Sequence, residues 1–178
     1  MKVLIIEDNN YKLDEAIRII NTHGISEYVH VNNYMEAYSL LRKDDIDQFD
    51  FIILDIQFYE SRPLLDSRAM PHQYAGYKFL LRLTSNDKSI PVFIFSSIEN
   101  FEEGYKEFLF PSFSEYSKKY TSSPIYFRES YYTRRYHEEM KENEVVLEKT
   151  LEFVRGHAHN QYELEILITK YLDSNNQK

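Results

Sequence analysis

Two short runs of apolar residues, each ending in an acid, limit the folds open to this chain of 178 residues. Val3 to Ile6 is followed by Glu7 and Asp8, and Phe51 to Leu54 is followed by Asp55. Continuous apolar runs of this length are typical of strands buried on both faces of a parallel sheet. Because ligands of open α/β sheets bind just outside the carboxyl ends of the strands, we expect three carboxylates at one edge of the sheet.

The remaining pattern predicts helices and strands in alternation. Short apolar runs predict three further strands, at 28–31, 92–95 and 125–127. Helical spacing predicts helices at 11–22, 34–42, 77–84, 101–120 (interrupted at Pro111), 132–154 and 162–172, with a break at Gly156. This alternation is typical of an α/β fold. We predict a flavodoxin-like, doubly wound sheet of five parallel strands in the order 2-1-3-4-5, with extra C-terminal helices.

The composition is that of an acidic protein without cysteine. Asp and Glu number 29 against 21 Lys and Arg, and the formal net charge of −8 disfavours non-specific nucleic-acid binding. The lack of Cys excludes disulfides and Cys-based zinc sites. No apolar run is long enough to span a bilayer, and the first residues lead into a strand rather than a signal peptide. We therefore expect a cytoplasmic protein with no membrane association.

Four pieces of the sequence carry a resemblance through their content and order. They are the first strand with Glu7 and Asp8, the strand ending at Asp55, the helix preceded by Gly76, and the strand ending at Ser96. Together they resemble the receiver domain (CheY-like) of bacterial two-component response regulators, over roughly residues 1 to 130. The resemblance implies a receiver-like domain at 1–155, with insertions near 57–73 and 100–123, and a C-terminal helical extension at 156–178.

The resemblance also implies phosphoryl chemistry that depends on Mg²⁺. Asp55 would be the phosphoacceptor, and Ser96 would be the switch hydroxyl that hydrogen-bonds the phosphoryl group. Mg²⁺ would be bound directly by Asp8, through water by Glu7, by one oxygen of Asp55 and by the backbone carbonyl of Gln57. Taken alone, these acids have the alternative of ordinary turn and capping residues. Ser96 has the alternative of an ordinary loop hydroxyl, because a second serine follows it directly.

The sequence departs from the family at the predicted fifth strand. The family has a Lys just after this strand, where the present chain has Arg128 and Glu129. Arg128 is the candidate substitute for the Lys, although arginine and lysine differ in geometry. Lys118 and Lys119 lie upstream and would reach the site only if the loop folded back.

Two functions remain open at this point. The first is a response regulator that takes a phosphoryl group onto Asp55 from a histidine kinase or phosphotransfer protein and signals through a downstream protein partner. Its only enzymatic activity would be its own phosphorylation and dephosphorylation. The second is a degenerate receiver that serves as a phosphorylation-independent protein-interaction module, which the missing Lys favours. A phosphatase of the haloacid-dehalogenase type would need an Asp where Gln57 stands.

The C-terminal segment has two interpretations as well. Its helices either pack on the receiver core or form an element for homodimerisation or partner docking. They contain more acidic than basic residues, and we expect no direct DNA binding. On a helix, His157 and His159 would face different ways because they are two residues apart, and no acidic or Cys cluster accompanies them, so no metal site is expected there.

Overall fold

The structure is a computed structural model and describes residues 1–43, 45–59, 71–72, 74–118 and 129–176. The strands of its central sheet are β1 (Lys2–Ile6), β2 (Glu27–Val31), β3 (Phe51–Leu54), β4 (Val92–Phe95) and β5 (Val154–Ala158). The helices are α1 (Asn10–Thr22), α2 (Tyr34–Arg42), α3 (Ala75–Ser85), α4 (Phe101–Leu109), α5 (Phe113–Lys118), α6 (Glu129–Phe153) and α7 (Gln161–Asn176). After β3, Phe58–Tyr59 pairs antiparallel with Pro71–His72.

The central sheet is parallel throughout and has the order β2-β1-β3-β4-β5. This confirms the predicted 2-1-3-4-5 topology of a flavodoxin-like fold. Apart from Lys2, the three inner strands consist of apolar residues that are buried almost completely, which is the expected result for strands covered on both faces.

Helices cover both faces of the sheet. On one face, Ile20 of α1 and Leu164 and Ile168 of α7 pack against Phe51 and Phe93. On the other face, helices α2, α3 and α4 and the end of α6 form a second apolar cluster, which includes Leu41, Phe79, Leu80, Tyr105 and Phe153. None of the helices within the described ranges is long and apolar enough to cross a membrane.

The fifth strand is where the sequence prediction and the structure differ. The strand predicted at 125–127 and the neighbouring Arg128 lie outside the described residues. The strand that pairs with the outer edge of β4 is Val154–Ala158, where the sequence predicted a helix end and a break at Gly156. A Cβ at Gly156, whose φ is +147°, would lie 2.7 Å from the Leu167 side chain, so glycine lets α7 pack closely on β5. The predicted domain boundary at 155/156 falls inside this strand, and the C-terminal residues form part of the sheet and of the layer that covers it.

Helix α6 is joined to the rest of the domain through a buried hydroxyl cluster. The Thr150 hydroxyl lies 2.7 Å from that of Thr84 on α3 and 3.2 Å from that of Tyr105 on α4. Buried polar groups of this kind are stable only when they are paired, so the cluster fixes the position at which α6 meets α3 and α4. The end of α6 leads directly into β5.

Candidate functional site

Three strands are each followed by a polar residue whose backbone N–H continues the hydrogen bonding of the sheet. Glu7 donates its backbone N–H to the last carbonyl of β2 at 3.1 Å, and Asp55 donates to the last carbonyl of β1 at 2.9 Å. Ser96 donates its N–H to the last carbonyl of β5 at 3.1 Å. Because the strands are parallel, these bonds fix all three residues at the carboxyl edge of the sheet.

The structure brings together the three carboxylates that the sequence places after β1 and β3. Glu7, Asp8 and Asp55 each offer one oxygen, and these oxygens all lie within 4.8 Å of one another. Glu7 is 2% exposed and Asp55 is 4% exposed, whereas Asp8 is half-buried. Carboxylates gathered this closely in a poorly solvated place repel one another, so the arrangement calls for a positive charge.

The hydrogen bonds of the two buried acids leave part of the site unsatisfied. Oε1 of Glu7 accepts the backbone N–H of Asn9 at 2.8 Å, and Oδ1 of Asp55 accepts that of Ile56 at 2.7 Å. Oε2 of Glu7 is buried and accepts no hydrogen bond from the part of the chain that is described. The pKa of Glu7 is raised to about 8, mainly by burial and to a smaller extent by the negative charge of Asp55.

Ser96 is the better placed of the two consecutive serines. It is 1% exposed at the end of β4, whereas Ser97 is exposed to solvent. The Ser96 hydroxyl oxygen is buried and has no hydrogen-bond partner among the described residues. A buried hydroxyl without a partner is unfavourable, and a ligand at this edge of the sheet would satisfy it.

Lys12 is a member of the site that the sequence analysis missed. Its Nζ lies 3.5 Å from Oδ2 of Asp55 and 4.0 Å from Oε2 of Glu7. It also lies 5.7 Å from the centre of the Phe95 ring, close enough for a cation–π interaction. No sequence pattern indicates this contact, because the direction of the Lys12 side chain depends on how α1 crosses the sheet.

The end of the fifth strand carries histidines instead of a lysine. His159 directly follows β5, and the ring of His157 lies 4.2 Å from that of His159. Nε2 of His157 lies 3.0 Å from the carbonyl oxygen of Ser96, and burial lowers the pKa of His157. Helical spacing does not apply to these histidines, because His157 lies on a strand. Arg128, the candidate substitute for the family Lys, lies outside the described residues.

The last sequence candidate, Gln57, is exposed and lies two residues beyond Asp55 on the same loop. The role predicted for it involves its backbone carbonyl, and this remains a prediction.

Comparison with solved structures identifies the fold. A CheY-like receiver domain from Methanospirillum hungatei matches with a TM-score of 0.52 at 12% identity, over 99% of this chain and 96% of the other. A receiver domain from Clostridium thermocellum matches with a TM-score of 0.51 at 17% identity, over 95% and 94%. No protein-family model and no curated protein matches the sequence. The chain therefore has the fold of response-regulator receiver domains, and this fold extends through the C-terminal strand and helix.

Proposed function

We propose that this protein is a response-regulator receiver that accepts a phosphoryl group on Asp55 in the presence of Mg²⁺. The observation that carries the proposal is the set of buried polar atoms that lack partners at the end of the sheet. Oε2 of Glu7 and the hydroxyl of Ser96 are both buried beside Asp55's strand, and neither has a hydrogen-bond partner within the described ranges. The Lys12 ammonium, 4.0 Å from Oε2 of Glu7, is beyond hydrogen-bond range, so a ligand with positive charge and acceptor oxygens would offset the desolvation of both atoms.

The donor set fits Mg²⁺. This ion prefers oxygen ligands and keeps several waters, and three carboxylates with oxygens within 4.8 Å of one another match that preference. Asp8 and Asp55 would bind it directly, Glu7 through water, and Gln57 through its backbone carbonyl. When bound, Mg²⁺ would neutralise the negative charge that the phosphoryl donor and Asp55 share.

Asp55 would act as the nucleophile of the proposed phosphoryl transfer. The Ile56 N–H holds Oδ1, which fixes the orientation of the carboxylate, and Oδ2 is on the side facing Lys12. One carboxylate oxygen would attack the phosphorus while the bond from phosphorus to the donor's histidine nitrogen breaks, and the nitrogen keeps the electron pair. The product is an acyl phosphate, whose oxygens the Ser96 hydroxyl would contact. Rate enhancement then comes mainly from positioning and charge compensation.

The donor would be a histidine kinase or phosphotransfer protein, and the phosphorylated form would be recognised by a downstream protein partner in the cytoplasm. Direct binding to DNA is not part of the proposal, because the net charge of −8 opposes it. The partner could also be a second copy of this chain, in a homodimer.

The test is intact mass spectrometry after incubation with acetyl phosphate and Mg²⁺. We expect the parent protein to gain one phosphoryl group and Asp55→Asn to gain none, because the amide is not a nucleophile toward phosphorus. Asp50→Asn is the matched control: Asp50 is exposed and lies at the other end of the same strand, where it accepts the backbone N–H of Lys2. This variant should be phosphorylated like the parent.

Two results would contradict the proposal. If Asp55→Asn were phosphorylated to the same extent as the parent, the phosphoacceptor would be another residue. No mass gain in the parent, with Mg²⁺ binding demonstrated by calorimetry, would leave the alternative function, a receiver fold that serves as a phosphorylation-independent interaction module.

A further inference from the structure

Both the backbone N–H and the ammonium group of Lys12 make contacts that position this residue in the acidic site. Its backbone N–H is bonded at 3.3 Å to the side-chain oxygen of Asn9, which caps the first turn of α1. The ammonium nitrogen lies 5.7 Å from the centre of the Phe95 ring, 3.5 Å from Asp55 and 4.0 Å from Glu7. The side chain is only 20% exposed, so a lysine here is a built part of the site rather than a mobile surface group.

The contacts of the ammonium group are close but not tight. The distances of 3.5 Å to Asp55 and 4.0 Å to Glu7 exceed the usual range of a direct N–H···O bond, roughly 2.7–3.2 Å. Lys12 therefore compensates charge without being locked to one oxygen. Small rotations of its flexible stem would let it follow the negative charge if that charge moved outward from Asp55.

The charge balance of the site gives Lys12 a specific task. Three carboxylates converge here, and the residue after the fifth strand, where receivers have a lysine, is His159. Within the part of the chain that the structure describes, Lys12 is the amine that contacts Asp55.

We propose that Lys12 is the resident cation of this site, supplied by α1 instead of the fifth strand. Before phosphorylation it lies between Glu7 and Asp55 and opposes the binding of a divalent cation. After phosphorylation it pairs with the phosphoryl oxygens on Asp55. The second step rests on the proposed function, whereas the first requires only that the acids bind Mg²⁺.

Replacement of Lys12 with methionine should change two affinities in opposite directions. Methionine keeps an unbranched side chain and removes the charge. Mg²⁺ alone should bind about tenfold more tightly, because a positive charge no longer opposes it. Beryllofluoride, used as a phosphoryl mimic with saturating Mg²⁺, should bind about tenfold more weakly, and phosphorylation by acetyl phosphate should slow by a similar factor.

The experiment measures both affinities by isothermal titration calorimetry on the full chain, with thermal unfolding to verify that each variant is folded. Lys88→Met is the matched control, because Lys88 is 18% exposed, pairs with Asp47 at 2.5 Å, and precedes β4 at the opposite edge of the sheet. It should leave both affinities unchanged. Lys12→Arg should restore most of the beryllofluoride affinity.

Each alternative outcome has a separate meaning. If Lys12→Met weakens both ligands equally, or alters neither, the inference is overturned, because a purely structural lysine would behave in this way. If the parent binds Mg²⁺ but neither beryllofluoride nor a phosphoryl group, the proposed function fails, and the second step of the inference fails with it. The first step is still decided by whether Lys12→Met tightens Mg²⁺ binding.

Discussion

Replacement of Gly76 with alanine is expected to destabilise the protein by about 3 kcal/mol, because the structure has no room for a methyl group there. A Cβ on Gly76 would lie 2.6 Å from the carbonyl oxygen of Asp55 and 2.6 Å from Cα of Ile56. Both atoms belong to the backbone, so the clash is relieved only if α3 moves away from the end of β3. That movement would stretch the hydrogen bond of 2.9 Å from the Gly76 N–H to the Ile56 carbonyl.

The same displacement should disturb the site, because Asp55 belongs to it and the Ile56 N–H holds the Asp55 carboxylate. We expect Gly76→Ala to bind Mg²⁺ more weakly than the parent, measured by calorimetry, alongside the free energy of unfolding from urea denaturation. Gly24→Ala is the matched control. Gly24 has φ +74° and nothing within 4 Å of its Cβ position, so alanine there should destabilise by only about 1 kcal/mol and leave Mg²⁺ binding intact.

Helix propensity alone makes the opposite prediction for Gly76. Alanine within a helix is favoured over glycine by about 1 kcal/mol. A Gly76→Ala variant that is as stable as the parent, or more stable, would show that α3 does not approach the loop after β3 as closely as described.

Replacement of Glu7 with glutamine is expected to stabilise the metal-free protein, increasingly so as the pH rises. Burial and the neighbouring Asp55 raise the pKa of Glu7 from 4.5 to about 8, so the folded protein retains a proton that the unfolded chain releases. The stability that this proton contributes is complete below pH 4.5 and is lost as the pH rises through about 8. Glutamine is neutral at every pH, so its advantage should grow by roughly 1 kcal/mol for each pH unit across this window.

The measurement is urea denaturation in a metal chelator at several pH values across this window. Glu148→Gln is the control. Glu148 is exposed on α6, so this substitution removes one negative charge without altering the site. A stability gain for Glu7→Gln that is the same at acidic and alkaline pH would contradict the prediction. With saturating Mg²⁺ the order should reverse, because the parent keeps the carboxylate proposed to support the ion.

The inner part of the fold could be predicted because its sequence signals are local. The strands that contain Ile6, Leu54 and Phe95 are apolar runs apart from Lys2, and such runs are typical of strands buried on both faces of a parallel sheet. Since polar residues at the ends of parallel strands share one edge, Glu7 and Asp55 could be placed together before any coordinates were known. The roles assigned to these residues remain proposals.

The fifth strand and Lys12 could not be predicted, for different reasons. The sequence of β5 contains Arg155, Gly156 and His157, has little apolar content and follows a helix of 25 residues without a loop. Its strand conformation comes from pairing with β4, which is a tertiary effect that overrides local propensity. Lys12 is one of several charged residues of α1, and only the crossing of that helix over the sheet distinguishes it from the others.

The late position of β5 in the chain has a consequence for how the protein folds during synthesis. The residues of β1, β3 and β4 all precede Ser96 and leave the ribosome first, whereas the strand that covers the outer edge of β4 begins only at Val154. In the interval, a fully apolar strand presents unpaired backbone groups, which is a template for pairing with other chains. Because α6 leads directly into β5, docking of this helix through Thr150 would deliver the covering strand as soon as it is made. Docking of the helix would therefore end the period in which the edge of β4 is open to other chains.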